Sequence, residues 1–217
     1  MPTNARHRVQ RVKARARYDR ASIHAILDAG QIAHVAFCVD AQPFVIPMLY
    51  VRDAESLLLH GSIASRLLKT VGAGIDACIA VTLLDGLVLA RSHFHHSMNY
   101  RSVVAFGRAT AVVDPDAKSS GLLRLVEAMI PGRAAESRPP DRNELAATSL
   151  LHFEIDEASA KVRSGGPKDD PADLDLPHWA GVVPQCMQFG DPEPASGNVE
   201  STWPASVRNL LASKLLG

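Results

Sequence analysis

The chain has 217 residues, 47% of them hydrophobic, and its 23 basic residues equal its 23 acidic residues. This length suits one large domain or two small ones, and the balanced charge excludes a bulk field that would favour nucleic acid or an anionic membrane. Apolar runs such as residues 86 to 90 are far shorter than the roughly 20 residues of a membrane span. The basic N-terminus is not followed by the apolar segment of a secretory signal. Three widely spaced cysteines predict buried free thiols in a soluble, cytoplasmic protein: Cys38, Cys78 and Cys186.

The two ends of the chain carry opposite charge. Residues 1–20 hold seven basic side chains and one acidic, whereas residues 165–200 hold one basic and seven acidic. Charge blocks of this kind are commonly solvated tails, and the alternative is that the two ends attract each other. Seven prolines between residues 165 and 204 exclude long helices and central strands there. We therefore predict a basic arm (1–20), a folded domain (21–165) and a proline-rich acidic wrap or tail (166–217).

The first half of the domain is predicted to contain a helix, a meander of strands and a second helix. Ser22 can cap a helix that Gly30 ends, and Ser65 can cap a shorter one. Two prolines in the second strand predict an edge or a bulge. The predicted helices are residues 22–29 and 65–71, and the predicted strands are residues 32–39, 43–51 and 57–60.

The second half adds longer strands and a longer helix. Asp85-Gly86 between apolar runs predicts a hairpin, and Gly107 within a strand predicts a bulge or a close backbone approach. Residues 178–184 (HWAGVVP) are expected to dock on the domain, because their apolar side chains are costly to leave in water. The remaining elements are a strand at 100–113, helices at 115–130 and 141–148, and a strand at 150–155. Six or seven antiparallel strands with few helices predict a mainly β (α+β) fold, a small barrel with helices.

Residues 59–69 (LHGSIASRLLK) form a candidate anion site. A strand ends at His60-Gly61, and the chain enters a helix that carries two cations, Arg66 and Lys69, on one face. Backbone N–H groups and cations together suit a phosphate. The alternative is that two cations on a solvated helix bind nothing. The spacings of the P-loop and of the Rossmann motif are absent from the sequence.

Residues 91–103 (RSHFHHSMNYRSV) are dense in polar side chains. His93 and His95 could share a strand face, but no cysteine or carboxylate with ligand spacing completes a metal site, so none is predicted. No GxSxG motif supports a hydrolase. The segment can instead present several hydrogen-bond donors to a ligand at a barrel mouth.

These segments, followed by PGR, RPP and SAKVRSGGP, resemble the pyridoxamine 5′-phosphate oxidase-like flavin-nucleotide-binding proteins, close to the nitroimidazole-resistance branch. The resemblance covers about residues 15 to 185. It implies an FMN-binding split β-barrel that forms a homodimer, with the flavin in a cleft shared by the two subunits. It departs from true pyridoxamine phosphate oxidases at Lys161-Val162-Arg163, which no histidine follows, so vitamin B6 oxidation is not implied.

The resemblance also implies which residues bind FMN. It places the phosphate at His60, Gly61, Ser62, Arg66 and Lys69, and lays the isoalloxazine ring against the preceding strand. That strand contributes Ile46, Pro47 and Met48, and the strand that opens NYRSV contributes a third group from the same or the partner subunit: Asn99, Tyr100, Arg101 and Ser102. The flavin carries the redox chemistry, so no catalytic residue is assigned.

Three functional interpretations stay open at this stage. The leading one is an FMN-dependent oxidoreductase, related to pyridoxamine 5′-phosphate oxidase or nitroreductase-like, acting on an unknown small molecule. The second is a flavin-binding carrier or sensor without turnover. The third keeps the barrel and changes the ligand to deazaflavin or haem. An axial histidine is the usual iron ligand of haem, and the candidates are His60, His93, His95 and His96.

Overall fold

The computed structural model describes residues 6–197 and 202–212, which contain eight strands and five α-helices. The strands are β1 (Ala16–Arg17), β2 (Ile32–Val39), β3 (Gln42–Asp53), β4 (Ser56–Ser62), β5 (Ala73–Leu89), β6 (Ser97–Ala111), β7 (Thr148–Arg163) and β8 (Gly181–Pro184). The helices are α1 (Arg20–Ala29), α2 (Arg66–Val71), α3 (Pro115–Met129), α4 (Arg142–Ala147) and α5 (Ala205–Ala212). Within these described ranges, none of the helices combines the length and apolarity that a membrane crossing requires.

Six of the strands close into an antiparallel barrel in the order β7-β4-β3-β2-β5-β6, because β6 pairs back onto β7. Two short strands lengthen its edges. β1 pairs with β7 at residues 160–161, beyond the stretch that pairs with β4, and β8 pairs with β5 at residues 86–89. The predicted mainly β split-barrel fold is confirmed.

The apolar residues form two clusters separated by β4. The larger cluster fills the barrel and includes Leu57 and Leu59, while the smaller one lies under α3 and contains Leu58 with Leu125 and Leu150. This division follows from the period of two along a strand, which turns successive side chains to opposite faces. β4 is therefore apolar on both faces.

The predicted hairpin at Asp85-Gly86 is wrong, since β5 runs through it as one strand. The pairing with β6 only shifts register between Leu84 and Gly86, which is a bulge. The Asp85 carboxylate accepts hydrogen bonds from Arg101 on β6, and the backbone of β8 passes so close that a Cβ at Gly86 would lie 2.8 Å from the Val183 carbonyl oxygen. A sheet partner on each edge keeps the chain extended.

The bulge or close backbone approach predicted at Gly107 is confirmed. The register of β6 and β7 shifts between Phe106 and Gly107, and a Cβ on Gly107 would lie 1.8 Å from the Glu154 carbonyl oxygen. The helix predicted at residues 115–130 is also present, with Asp114 as its N-cap. The first helix begins two residues earlier than predicted, because its cap is Asp19, whose carboxylate accepts from the Ser22 N–H.

The charged ends are not simply solvated where the structure describes them. Near the N-terminus, His7 is buried and its Nδ1 lies 3.0 Å from a carboxylate oxygen of Glu157 on β7. In the acidic segment, Arg91 donates from its backbone and side chain to Asp169. Both ends therefore contact the barrel in the ranges that the structure describes. The expectation of buried thiols is wrong for two of the three free cysteines, since Cys38 and Cys186 are exposed and Cys78 is half-buried.

Candidate functional site

The barrel opens between β3 and β4. In the described part of the chain, these strands pair only from Tyr50↔Leu59 to Asp53↔Ser56. The preceding part of β3, residues 42–49, pairs with β2 on one side and has no strand pairing to β4 on the other. Unpaired backbone N–H and C=O groups at a sheet edge can bind a planar polar ligand in place of a strand. We call this opening the cleft.

The predicted phosphate cations lie at one end of the cleft. The Arg66 guanidinium stacks over the Phe44 ring of β3 at 4.4 Å from its centroid, which joins the start of α2 to the unpaired part of β3. Arg66 and Lys69 are both exposed, and neither forms an ion pair with any residue in the described ranges. Ser62 Oγ accepts from the Ala64 N–H at 3.1 Å and so shapes the turn into α2. The cleft therefore presents positive charge that is available to an anion.

The residues predicted to lie along the flavin ring occupy the unpaired part of β3. Ile46 and Met48 are half-buried and pack against the barrel core, whereas Pro47 is exposed between them. Their backbone groups form the strand edge that faces the opening. Pro47 and the backbone of this stretch are therefore accessible to a flavin ring, whereas the Met48 side chain packs against the barrel core.

The third predicted group, at the start of β6, makes contacts away from the cleft. Asn99 is buried, and its amide donates to the Gly165 carbonyl at 3.1 Å. Arg101 binds the Asp85 carboxylate through two nitrogens, and the Ser102 hydroxyl donates weakly to the Lys161 carbonyl at 3.4 Å. Within one chain these hydrogen bonds reach β5, β7 and the loop after β7. Tyr100, paired with Arg163 across β6 and β7, belongs to the same end of the barrel.

His60 lies apart from the other residues predicted to bind phosphate. It follows Leu58 by two positions, so its side chain shares the face of β4 that α3 covers. Gly61 lies on the opposite face, where a Cβ would approach Leu68 Cδ1 of α2 at 3.0 Å. Gly61, Ser62, Arg66 and Lys69 thus lie within one strand-to-helix turn that Arg66 joins to the cleft, whereas the His60 side chain lies on the other face of β4.

The His60 imidazole lines a cavity of about 920 Å³ between β4 and α3. Its Nδ1 is buried, and the imidazole forms no hydrogen bond with any described residue. Burial lowers the pKa of His60, which favours the neutral imidazole. The walls are mainly apolar side chains, namely Leu49, Leu122, Leu123, Leu125, Val126 and Met129. We call this space the α3 cavity.

Polar groups lie at the rim of the α3 cavity. Arg138 binds Glu144 through two nitrogens at 2.8 and 2.6 Å, and the Asp141 N–H also donates to Glu144. The pKa of the Glu144 carboxyl is lowered to about 2, chiefly by the Arg138 hydrogen bonds. The other polar side chains of the lining are Asp116, Ser119, Ser120 and Ser137. The rim can donate hydrogen bonds while the interior stays apolar.

The α3 cavity was missed in the sequence because its walls come from segments far apart in the chain. The structure reveals it through exposed apolar side chains of α3, since Leu123 and Met129 are 53% and 43% exposed. Gly121 lies in the same region, and a Cβ there would lie 2.4 Å from Leu150 Cδ2. This glycine lets α3 approach β7 closely at one point beside the cavity.

Comparison with known proteins gives one family and several structures. Residues 19–162 match the family model of pyridoxamine 5′-phosphate oxidase. The flavocytochrome Anf3 from Azotobacter vinelandii is 40% identical with a TM-score of 0.88, over 95% of this chain and 96% of that one. The FAD and heme binding protein from Mycobacterium smegmatis is 38% identical with a TM-score of 0.86, over 90% and 97% of the two chains.

A more distant structure shares the fold alone. It is a 5-nitroimidazole antibiotic resistance candidate from Bacteroides thetaiotaomicron, 18% identical with a TM-score of 0.55, over 68% of this chain and 86% of that one. No curated protein matches the chain.

Proposed function

We propose that this chain, which belongs to the pyridoxamine 5′-phosphate oxidase family, is a flavin-dependent redox protein acting on an unknown small molecule. The observation that carries the proposal is the cleft, where the unpaired edge of β3 meets Arg66, stacked on Phe44. An isoalloxazine ring needs donors and acceptors along one edge, and a flavin phosphate needs cations. The cleft offers both within one stretch of chain.

The protein's own part in the chemistry is to bind and orient the flavin. When bound, the flavin supplies electron transfer to and from the substrate. β3 holds the ring edge with backbone groups, while Arg66 and Lys69 hold the phosphate. A flavin-binding carrier or sensor without turnover is the alternative. Vitamin B6 oxidation is not part of the proposal, because Arg163 is followed by Ser164 and Gly165 and not by a histidine two residues later.

The identity of the flavin is the first point to test. The sequence resemblance implies FMN, whereas the relative at 38% identity is described as an FAD and heme binding protein. Release of the flavin by heat, followed by chromatography and mass spectrometry, distinguishes FMN from FAD. Purified protein without flavin absorbance, and without affinity for either nucleotide in titration, would refute the proposal.

Turnover is tested separately from binding. The flavin-loaded protein is mixed with NADH or NADPH in the absence of oxygen, and the flavin absorption band is followed. Bleaching supports an oxidoreductase that takes electrons from a nicotinamide. A stable band with either donor favours the carrier or sensor alternative, and the flavin proposal itself is unaffected.

We also propose that the protein is a homodimer with the flavin site at the subunit boundary. Several large apolar side chains on the strands are exposed in the single chain, among them Ile32, Val45, Leu84, Met98 and Val104. A partner that covers such faces would form an obligate interface of roughly 2,000 Å² or more. It could also bring Tyr100 to the flavin of the other subunit. Light scattering that gives the 23.3 kDa mass of one chain, with flavin bound, would refute the dimer.

Haem is a second cofactor that a specific observation favours. The two relatives at 40% and 38% identity are a flavocytochrome and an FAD and heme binding protein. The α3 cavity has the volume of cofactor sites, which run to roughly 1,000 Å³, and apolar walls that suit a macrocycle. One buried imidazole nitrogen without a hydrogen-bond partner lies in it. The residues present fit the group, and a Soret band in the purified or haem-reconstituted protein tests it.

A further inference from the structure

We propose that the α3 cavity is the haem site of this protein and that His60 is the residue that ligates the iron. The inference rests on the proposed haem function and adds the place and the ligand. Its starting point is chemical: iron in haem is commonly held by a neutral imidazole, in a pocket otherwise lined by apolar side chains.

His60 meets the requirements of such a ligand. Its backbone is held on one side by pairing with Leu150 of β7, and the preceding residue, Leu59, pairs with Tyr50 of β3. Its imidazole forms no hydrogen bond in the described part of the chain, so a nitrogen lone pair is not already in use. A buried polar group without a partner is costly, and coordination to a metal would remove that cost.

The other candidate histidines do not meet these requirements. His95 Nε2 lies 3.2 Å from an Asp170 carboxylate oxygen, and His96 Nδ1 lies 2.8 Å from the Ser92 carbonyl oxygen. His93 lies beside His96, with the two rings in an edge-to-face arrangement. None of the three lines the α3 cavity. Of the four histidines singled out in the sequence, the structure selects His60.

The cavity also distinguishes haem from a second flavin. A flavin phosphate would need cations, and Arg138 at the rim is already neutralised by Glu144. The apolar side chains contributed by α3 and β3 match the faces of a macrocycle. Ser119 and Ser120, which also line the cavity, can donate hydrogen bonds to the carboxylates at the edge of haem.

The test removes the His60 imidazole by substitution and then supplies free imidazole in solution to take its place. His60→Gly is expressed with haem available, and haem and flavin are each measured per mole of protein. We expect the haem content to fall about tenfold or more, since even loss of an outer-shell partner of a metal ligand lowers metal affinity 10- to 100-fold. Flavin content should be unchanged because α2, which carries Arg66 and Lys69, packs against the other face of β4 at Gly61. Added imidazole should then restore the Soret band.

His152→Gly is the matched control. His152 is half-buried on β7, where it pairs with Leu58 of β4, but it does not line the cavity. The His152→Gly variant also places a destabilising glycine within a strand, and it should still bind haem and flavin. If His60→Gly fails to fold, as shown by loss of flavin, His60→Met replaces it, and a thioether ligand should shift the Soret band and the haem reduction potential.

Three outcomes distinguish failure of haem binding from failure of His60 as the iron ligand. Wild-type protein that takes up no haem overturns the haem function and the inference with it. Wild-type protein that binds haem, with a His60→Gly variant of unchanged spectrum, leaves the haem function and overturns the ligand. Loss of haem that imidazole does not restore in a flavin-loaded variant also overturns the ligand.

Discussion

The cleft and the α3 cavity lie near the same end of β4 and differ in almost every physical property. The cleft is open and carries two exposed cations, whereas the cavity is apolar and contains one neutral imidazole. A phosphate is best bound where cations stay hydrated until it arrives, since isolated buried charges are costly. A metal-binding imidazole is best kept where protons do not compete for its lone pair. Opposite faces of one strand can therefore serve two cofactors of opposite chemistry.

The largest effect is expected from removing the charge of the cleft. The double variant Arg66→Ala with Lys69→Ala should weaken FMN far more than riboflavin, because each charge-assisted contact to phosphate contributes about 1.5 to 3 kcal/mol and riboflavin has no phosphate. Fluorescence titration of both ligands measures the difference. Arg66→Lys should restore only part of it, because a guanidinium can hold two oxygens at once. Equal weakening of the two ligands would refute the assignment.

The next largest effect is expected from a substitution that disturbs the α3 cavity and leaves the cleft intact. Gly121→Val should push α3 away from β7, because even a Cβ there would lie 2.4 Å from Leu150 Cδ2. We expect the free energy of unfolding to fall by about 1 to 3 kcal/mol, as for other overpacked sites, with haem lost and flavin retained. Denaturation and absorption spectra measure both. Gly166→Ala, which adds a Cβ with no atom within 4 Å, is the control. Flavin loss together with haem would show that the two regions are not independent.

A smaller effect concerns the pH dependence of the unloaded protein. Burial lowers the pKa of His60 below its ordinary value of about 6.5, so the unfolded chain binds a proton there more readily than the folded one. The free energy of unfolding should therefore fall as the pH drops through 6.5 toward the folded pKa. One proton limits the slope to about 1.4 kcal/mol per pH unit. His60→Gln should reduce this slope in denaturation series between about pH 5 and pH 8, whereas Arg66→Ala should leave it unchanged.

The smallest effect is expected at the aromatic ring under Arg66. Phe44→Leu removes a cation–π contact that contributes about 0.5 to 1 kcal/mol at an exposed site, so FMN affinity should fall by less than in Arg66→Ala. Phe37→Leu is the comparison. Phe37 stacks on Phe44 within the core, at 5.4 Å between ring centroids, and should change stability without changing FMN affinity. An equal loss of affinity in both variants would assign the effect to core packing.

The sequence predicted the elements whose signals are local. Apolar residues spaced three and four apart predicted α3, and Ser65 caps α2 as expected. Gly107 was recognised for the same reason, because a strand interrupted by glycine has few physical explanations. The hairpin predicted at Asp85-Gly86 was wrong because the conformation of this dipeptide depends on residues far away in the sequence. Arg101 and β8 decide that the chain continues straight there, and neither is visible in the dipeptide.

The candidate site was predicted in part for the same physical reason. The group Gly61, Ser62, Arg66 and Lys69 lies within one strand-to-helix turn, so proximity in sequence gave proximity in space. His60 belongs to the same turn but faces the other way, and only the packing of α3 reveals what it faces. A cavity formed by residues 49, 60 and 116–144 has no local signature. Contacts of this kind require the tertiary arrangement.

The three successive leucines of β4 do not by themselves favour one strand register over a register shifted by one residue. Since Leu57, Leu58 and Leu59 are all buried, a shift by one residue would exchange one apolar face for another at little cost. The next two residues remove that ambiguity. A shift would carry the imidazole of His60 into the barrel beside α2, where Gly61 leaves room for no side chain without displacing Leu68. His60 and Gly61 therefore favour the observed register of β4 over one that is shifted by a single residue.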